Sequence, residues 1–360
     1  MLEIEPDRLG LLPREALGVA AIIVPWNAPI GLLFRSLAAA LAAGCTVVIK
    51  PHPLTSLTSA AVLQAVMANG ALPPGVVNVV HEAADAAAKA MVASPDVDVI
   101  SYTGSTAVGK RIMAAGAATL KRLNLELGGS TPCIIYADAD LPKAVSALVA
   151  AGMIFSGQQC VAASRILVHR SRVEEAVDLF RGRLAKVVVG RGCDTGVDMG
   201  PLIDHANRDR VAAMVARAGE LNEIVLKGAD LAAPHDKGAF LSPSLVRVRD
   251  RGSEIANEEV FGPVLSIDSF DDEEEAISQA DRTRLGLAAS VWSQNLKRAQ
   301  RTALRLRTGT VWINSHGRFS PELEVGGYKE SGLGRLFGQQ GLDDFLQTKH
   351  ISWDLEEDEA

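Results

Sequence analysis

The first half of the chain alternates short β-branched runs with Ala-rich stretches of helical length. Val19–Val24 reads as a strand and Ile30–Ala43 as a helix stopped by Gly44. Thr46–Ile49 reads as the next strand and Ser56–Asn69 as the next helix, stopped by Gly70. Val76–Val80, Asp85–Val92, Val97–Tyr102, Ala107–Ala118 and Leu123–Leu127 keep the same rhythm. The strand-like runs do not alternate polar with apolar residues, so both their faces are buried. That pattern predicts a parallel sheet wrapped by helices, an α/β fold. Such a sheet binds ligands outside the carboxyl ends of its strands. Three polar residues fall there: Asn27 after the first strand, Lys50 after the second and Ser105 after the fourth.

The second half is also α/β by pattern. Pro132–Tyr136 is a short apolar strand and Pro142–Phe155 a helix-like run. Ile166–His169, Glu174–Ala185, Ile224–Leu226, Val264–Asp268, Ala288–Trp292 and Thr310–Ile313 supply further strands or helices. Loops near Gly190–Pro201 and Ala229–Ala239 are rich in Gly, Pro and Asp, and Leu355–Ala360 reads as a solvated acidic tail.

At 360 residues the chain is too long for one core, which predicts two domains and room for a small appendage. Its net charge of −7, with no cluster of Lys and Arg, argues against a nucleic-acid partner. The opening residues lack a basic start and apolar run, and the apolar region Ala16–Ile49 is broken by Pro25, Asn27, Pro29 and Arg35. No membrane partner is expected, and the four scattered cysteines suit a reducing cytoplasm. The histidines show no ligand spacing, so no metal is expected.

The chemistry-bearing stretch runs from Glu126-Leu127-Gly128-Gly129 to Gly157-Gln158-Gln159-Cys160. Its carboxylate and thiol are thirty-four positions apart. A strand and a helix between them are enough chain to leave one layer and return to the same cavity. Cysteine attacks carbonyl carbon well because part of it is thiolate at neutral pH. A carboxylate that polarises water can then release the resulting acyl group. Cys45 and Cys133 lie in apolar strand runs and read as buried and inert, while Cys193 sits in a polar loop.

Other motifs are ambiguous one at a time. Asn27 in Pro25-Trp26-Asn27 is either an oxyanion donor or a turn residue, and alone the turn is the better reading. Lys50, before Pro51, either meets a ribose or is a solvated lysine. Tyr102-Thr103-Gly104-Ser105-Thr106 is strand, turn and helix start. There Gly104 and Ser105 either cradle phosphate or form a plain cap, and the strand-end location favours phosphate. In Glu258-Glu259-Val260-Phe261-Gly262-Pro263 a carboxylate of the acidic pair could hold a ribose while the ring packs on a nicotinamide, or the string could merely be a helix end entering a strand. Gly332-Leu333-Gly334-Arg335-Leu336-Phe337-Gly338 has the wrong spacing and context for a dinucleotide fingerprint.

In this order the blocks resemble the aldehyde dehydrogenase superfamily. Lys50-Pro51, Thr103-Gly104-Ser105-Thr106, Glu259-x-Phe261-Gly262-Pro263, Trp312-x-Asn314 and Gly326-Gly327-Tyr328-Lys329-x-Ser331-Gly332 join the stretches already quoted, across essentially the whole chain. The resemblance implies that Cys160 attacks the aldehyde. Asn27, with the Cys160 N–H, would hold the oxyanion, and Glu126 would activate the deacylating water. It implies NAD or NADP bound by Lys50 and Glu259 on the riboses, Gly104 and Ser105 on the pyrophosphate, and Phe261 on the nicotinamide. Trp26 joins these cofactor contacts.

It also implies a Rossmann-like cofactor domain (18–128) and a catalytic domain (129–330). A β oligomerisation appendage would draw on 1–17 and on a late strand within 331–360, serving a homodimer or homotetramer. Family members usually carry well over a hundred further residues in front. This chain also has Pro53 where many place a ribose-binding glutamate, which leaves NADP open beside NAD. Ala28 and Val325 replace common aromatic residues and predict a reshaped substrate tunnel. His81-Glu82-Ala83 lacks a glycine often found there. Two rivals remain: a CoA-acylating relative, against which Glu126 argues, and a catalytically silent protein of the same fold.

Overall fold

The computed structural model describes residues 2–5, 8–68, 70–231 and 235–354. The acidic tail, Asn69 at the end of the expected second helix, and Met1, Pro6 and Asp7 of the expected appendage lie outside the described residues. The chain packs as two compact units. One comprises Met1–Leu125, Ser320–Val325 and Gly334–Ala360, the other Glu126–Phe319 and Gly326–Leu333.

The first unit holds strands β1 (Val19–Ile23), β2 (Thr46–Lys50), β3 (Val77–Val79), β4 (Val99–Thr103) and β5 (Arg122–Glu126), whose last residue opens the second unit, in the order β5-β4-β1-β2-β3. β1 pairs in parallel with both β2 and β4, and β2 with β3. Strand order reverses beside β1, because the chain first runs outward to β3 and then returns to β4. Helices α1 (Pro29–Ala42), α2 (Ser56–Met67), α3 (Ala86–Ala93) and α4 (Thr106–Gly116) provide the crossovers. α1 starts at a proline, whose fixed φ suits a first helical turn. It buries Leu33, Leu37 and Ala40 against Ala20, Ile22, Val47 and Ile49. Cys45 is buried there, as its apolar strand predicts. Leu2–Glu5, Arg8–Leu11 and Ile351–Asp354 form a small antiparallel sheet, and Arg14–Ala16 pairs with Leu346–Thr348.

The second unit is built on a seven-stranded sheet. Its strands are β6 (Thr131–Ile135), β7 (Ala163–His169), β8 (Glu223–Leu226), β9 (Ser244–Arg247), β10 (Val264–Phe270), β11 (Ala288–Trp292) and β12 (Thr310–Ile313). Their order is β8-β9-β10-β7-β6-β11-β12, parallel except at the β8 edge. β6 and β11 are buried along their whole length, which explains their unbroken apolar character. Helix α5 (Leu141–Met153) and helix α6 (Val173–Leu184) cover one face and share a core with Ile135, Ile166 and Leu265. The helix-like run was expected to reach Phe155, but α5 stops at Met153. Phe155, Ser156 and Gly157 follow with φ of 50°, 59° and 72°. Helices α7 (His205–Leu221), α8 (Glu273–Asp281) and α9 (Leu296–Arg305) complete this unit.

Candidate active site

In the first unit, the sequence-predicted residues occupy the carboxyl ends of three neighbouring strands, β4, β1 and β2. Trp26 and Asn27 lie on the turn between β1 and α1, just after Val24, whose N–H donates to the Lys50 carbonyl at 3.1 Å. Lys50 ends β2 and is buried, 7 % exposed, so it is not the solvated lysine that sequence alone allowed. Its ammonium faces the Glu82 carboxylate at 3.7 Å. Glu82 also accepts from the Ala87 and Ala88 N–H groups at 2.7 and 3.2 Å, closing the first turn of α3. Burial works to raise the Glu82 pKa. These two N–H groups and Lys50 outweigh it, and the carboxyl titrates below its ordinary range. The loop that lacks the usual glycine thus supplies a counter-ion for Lys50.

Gly104 and Ser105 sit between β4 and α4. Ser105 caps α4, its hydroxyl accepting from the Val108 N–H at 3.4 Å. A Cβ on Gly104 would lie 2.1 Å from the Tyr102 hydroxyl oxygen, so a larger residue here would have to displace the end of the tyrosine ring. Gly104 and Ser105 thus stand at the N-terminus of an eleven-residue helix at a strand's carboxyl end, a disposition that suits pyrophosphate.

In the second unit three separate stretches meet at their backbones. Glu126 ends β5 and is buried. The turn after it is pinned by Ser331: the Leu127 N–H donates to the Ser331 carbonyl at 2.9 Å, and the Ser331 hydroxyl donates to the Gly128 carbonyl at 2.6 Å. That hydroxyl also accepts from the Gly286 N–H at 2.8 Å. Gly129 then passes so close to the Cys160 loop that a Cβ on it would lie 2.1 Å from the Cys160 carbonyl oxygen. On its other side the Gly129 N–H donates to Glu259 Oε1 at 3.1 Å. The Gly157 backbone meets the third stretch, with a built Cβ 2.1 Å from the Gly262 carbonyl oxygen. Phe261, just before that contact, has a φ of 50°. Glu126's turn, Cys160's loop and the Glu259–Gly262 segment therefore form one backbone cluster.

Cys160 is partly exposed, whereas Cys133 is fully buried and its thiol is pushed up to about 12 by burial. Burial also pushes the Glu259 carboxyl up to about 7, against the opposing pull of the Gly129 N–H, Arg210 and Arg284. The left-handed bend before Cys160 is held by Ser156, whose hydroxyl lies 2.8 and 3.0 Å from the Gly200 and Pro201 carbonyls. Gln158 adds two bonds, donating to the Phe155 carbonyl at 2.9 Å and accepting from the Ile203 N–H at 3.0 Å. An open cleft of about 380 Å³ beside the loop is lined by Gln159, His316, Arg318 and Lys143 among others. Ser156, Ser331 and His316 were not singled out from sequence. Only the Ser331 position within the Gly-rich block hinted at a role.

The aldehyde dehydrogenase family model matches residues 1–351. The chain belongs to the aldehyde dehydrogenase family. It is an NAD(P)-dependent aldehyde dehydrogenase. It is 39% identical to betaine aldehyde dehydrogenase of Vibrio vulnificus over 345 residues, covering 95% of this chain and 70% of that protein. It is likewise 39% identical to cytosolic aldehyde dehydrogenase 1 of Rattus norvegicus, covering 94% of this chain and 67% of the relative. A crystal structure of betaine aldehyde dehydrogenase from Staphylococcus aureus, in complex with NAD+, superposes with a TM-score of 0.95 at 35% identity. That match covers 99% of this chain and 71% of the relative. The α/β architecture inferred from the hydrophobic pattern is thus the fold of this family. Among the described residues, no helix is long and apolar enough to cross a membrane.

Proposed function

We propose that this aldehyde dehydrogenase oxidises its substrate through a covalent cysteine intermediate that is hydrolysed by carboxylate-activated water. Cys160 thiolate attacks the aldehyde carbon, forming a C–S bond and placing negative charge on the former carbonyl oxygen. The Asn27 amide and the Cys160 N–H stabilise that oxyanion. The nicotinamide, when bound, supplies the acceptor for the hydride that leaves this carbon. The carbonyl is thereby restored as a thioester on Cys160. Glu126 takes a proton from water as the water attacks, and the carboxylic acid departs with cleavage of the C–S bond.

Lys50 and Glu259 bind the two riboses, Gly104 and Ser105 the pyrophosphate, and Trp26 and Phe261 border the cofactor. Residues 18–128 serve as the cofactor domain and 129–330 as the catalytic domain. The small antiparallel sheet serves assembly as a homodimer or homotetramer in the cytoplasm, which light scattering of the purified protein tests.

The observation that carries this reading is the approach of Gly129 to Cys160, which joins the turn after Glu126 to the nucleophile's own backbone. The test is a panel of aldehydes with NAD and NADP, following reduced nicotinamide. Wild type should turn over, Cys160→Ala should not, and Glu126→Gln should give a burst of reduced cofactor without steady turnover. Steady turnover by Glu126→Gln at wild-type rate would overturn the hydrolytic role. Dependence of wild-type turnover on added CoA would replace water with a thiol acceptor.

A further inference from the structure

Behind the nucleophile a line of hydrogen bonds runs from the sheet to the peptide group next to Cys160. Trp292 and Ser290 lie on β11, both buried, and the indole N–H donates to the Ser290 hydroxyl oxygen at 3.1 Å. Ser290 Oγ lies 3.2 Å from His316 Nδ1, and His316 Nε2 lies 2.8 Å from the carbonyl oxygen of Val161. The direction of every bond follows from the chemistry of its ends. An indole N–H only donates and a peptide carbonyl only accepts. His316 Nε2 must therefore carry a proton. Burial pushes the His316 pKa down, against the pull of the Val161 carbonyl, so the ring is neutral and Nδ1 accepts; Ser290 is the nearer donor, and the buried Cys133 thiol lies 3.9 Å from the same nitrogen.

Nothing in that line is left unsatisfied. Cross-strand register fixes its base, since Ser290 pairs with Cys133 on β6 and with Trp312 on β12. The imidazole packs against Trp312 with ring centroids 4.8 Å apart, and the Trp312 indole N–H donates to the Arg318 carbonyl at 2.8 Å. Val161 itself packs with Leu287, Ala288 and Trp312, with Cys160 against the same cluster. His316 thus ties the far side of the loop that carries the sulfur to the sheet, while the bend before that loop contains three consecutive left-handed residues held by Ser156.

We propose that His316 is a positioning residue for Cys160: as the neutral Nε2–H tautomer, oriented by Trp292 and Ser290, it clamps the Val161 carbonyl and holds the nucleophile's loop in its reactive register. The inference rests on Cys160 being the nucleophile. It adds a residue that touches neither substrate nor cofactor in this role.

The test compares His316→Phe, which keeps an aromatic ring against Trp312, with His316→Gln, whose amide N–H can reach the Val161 carbonyl and whose oxygen can accept from Ser290. In the full-length enzyme His316→Phe should lower kcat about ten- to a hundredfold, with KM values for aldehyde and cofactor unchanged within about twofold. His316→Gln should recover kcat to within about threefold of wild type. A second readout needs no turnover: iodoacetamide labelling of Cys160 relative to exposed Cys193, resolved by peptide mass spectrometry. That ratio should change at least about threefold in the Phe variant and return in the Gln variant. If His316→Phe misfolds, Ser290→Ala, which leaves the imidazole but removes its orienting donor, should show the same kcat-specific loss in weaker form. Equal impairment of Phe and Gln variants, or an unchanged labelling ratio in His316→Phe, would overturn the proposal. If wild type oxidises no aldehyde but the labelling ratios still move as expected, the proposed mechanism fails and the positioning role of His316 stands.

Discussion

The two units hold their candidate site residues by opposite means. In the first, Asn27, Lys50 and Ser105 stand at the ends of three adjacent parallel strands, and the positions follow from regular sheet geometry. In the second, Cys160 and Glu259 stand on irregular backbone next to residues of positive φ (Phe155, Ser156, Gly157 and Phe261). Regular geometry tolerates side-chain replacement, because the backbone is held by the ladder whatever the residue. A site made by backbone-to-backbone approach tolerates little, because there is no room for an added atom. Left-handed non-glycine residues cost on the order of 1 kcal/mol or more each and persist only where the surroundings hold them.

The largest expected effect is at Gly129. Gly129→Ala would set a methyl group against the Cys160 carbonyl, and displacement of the loop should lower kcat on the order of a hundredfold or more. The expected companion is a melting temperature reduced in line with about 3 kcal/mol of overpacking strain. A variant with normal kcat would mean that the Cys160 loop yields, and the contrast between the units would lose its basis. Next comes Asn27→Ala in the first unit, which should cost about 2.7–4 kcal/mol of activation free energy if it removes an oxyanion donor. Here the fold should survive, with circular dichroism and melting unchanged.

A smaller effect concerns pH. Because burial raises the Glu259 pKa from 4.5 to about 7, ionising this group costs more in the folded chain than in the unfolded one. Stability is therefore lost as pH rises from the unfolded value through the folded one, and below that window no penalty exists. Glu259→Gln should gain up to about 3 kcal/mol over wild type at pH 8 and little at pH 4, read from denaturant midpoints at both pH values. A constant difference would show that the carboxyl titrates normally. The smallest expected change is Ser105→Ala, which removes the α4 cap and should cost about 1 kcal/mol, with Ser105→Gly costing less. A disproportionate rise in cofactor KM beyond that loss would indicate that the hydroxyl also serves the phosphate.

How legible this was depended on range. Asn27, Lys50 and Ser105 could be placed at strand ends because each follows a β-branched run by one or a few residues. α5 was read two residues too long because Ile154 and Phe155 continue its apolar character. What stops the helix is distant: the carbonyls of Gly200 and Pro201 hold Ser156 in a left-handed bend. α9 buries only the small side chains of Ala299 and Thr302, so no run of large apolar residues marks it. Arg165 sits in the middle of a buried strand, and nothing local to it foretells its partner. Its guanidinium reaches the Ala280 carbonyl at 3.2 Å, at the C-terminal end of α8, where peptide dipoles favour a cation.

Alone, the amino-acid order determined the α/β class and the strand-end placement of three polar residues, and it set Cys45 and Cys133 apart as buried thiols. Each of those rests on propensity and periodicity within a dozen residues. Tertiary structure alone decided that Gly129 abuts Cys160, that Ser331 pins the turn after Glu126, and that His316 reaches the Val161 carbonyl. Those contacts join residues from thirty to more than two hundred positions apart. No local preference encodes them, because they exist only once the sheet has set the register that brings the loops together.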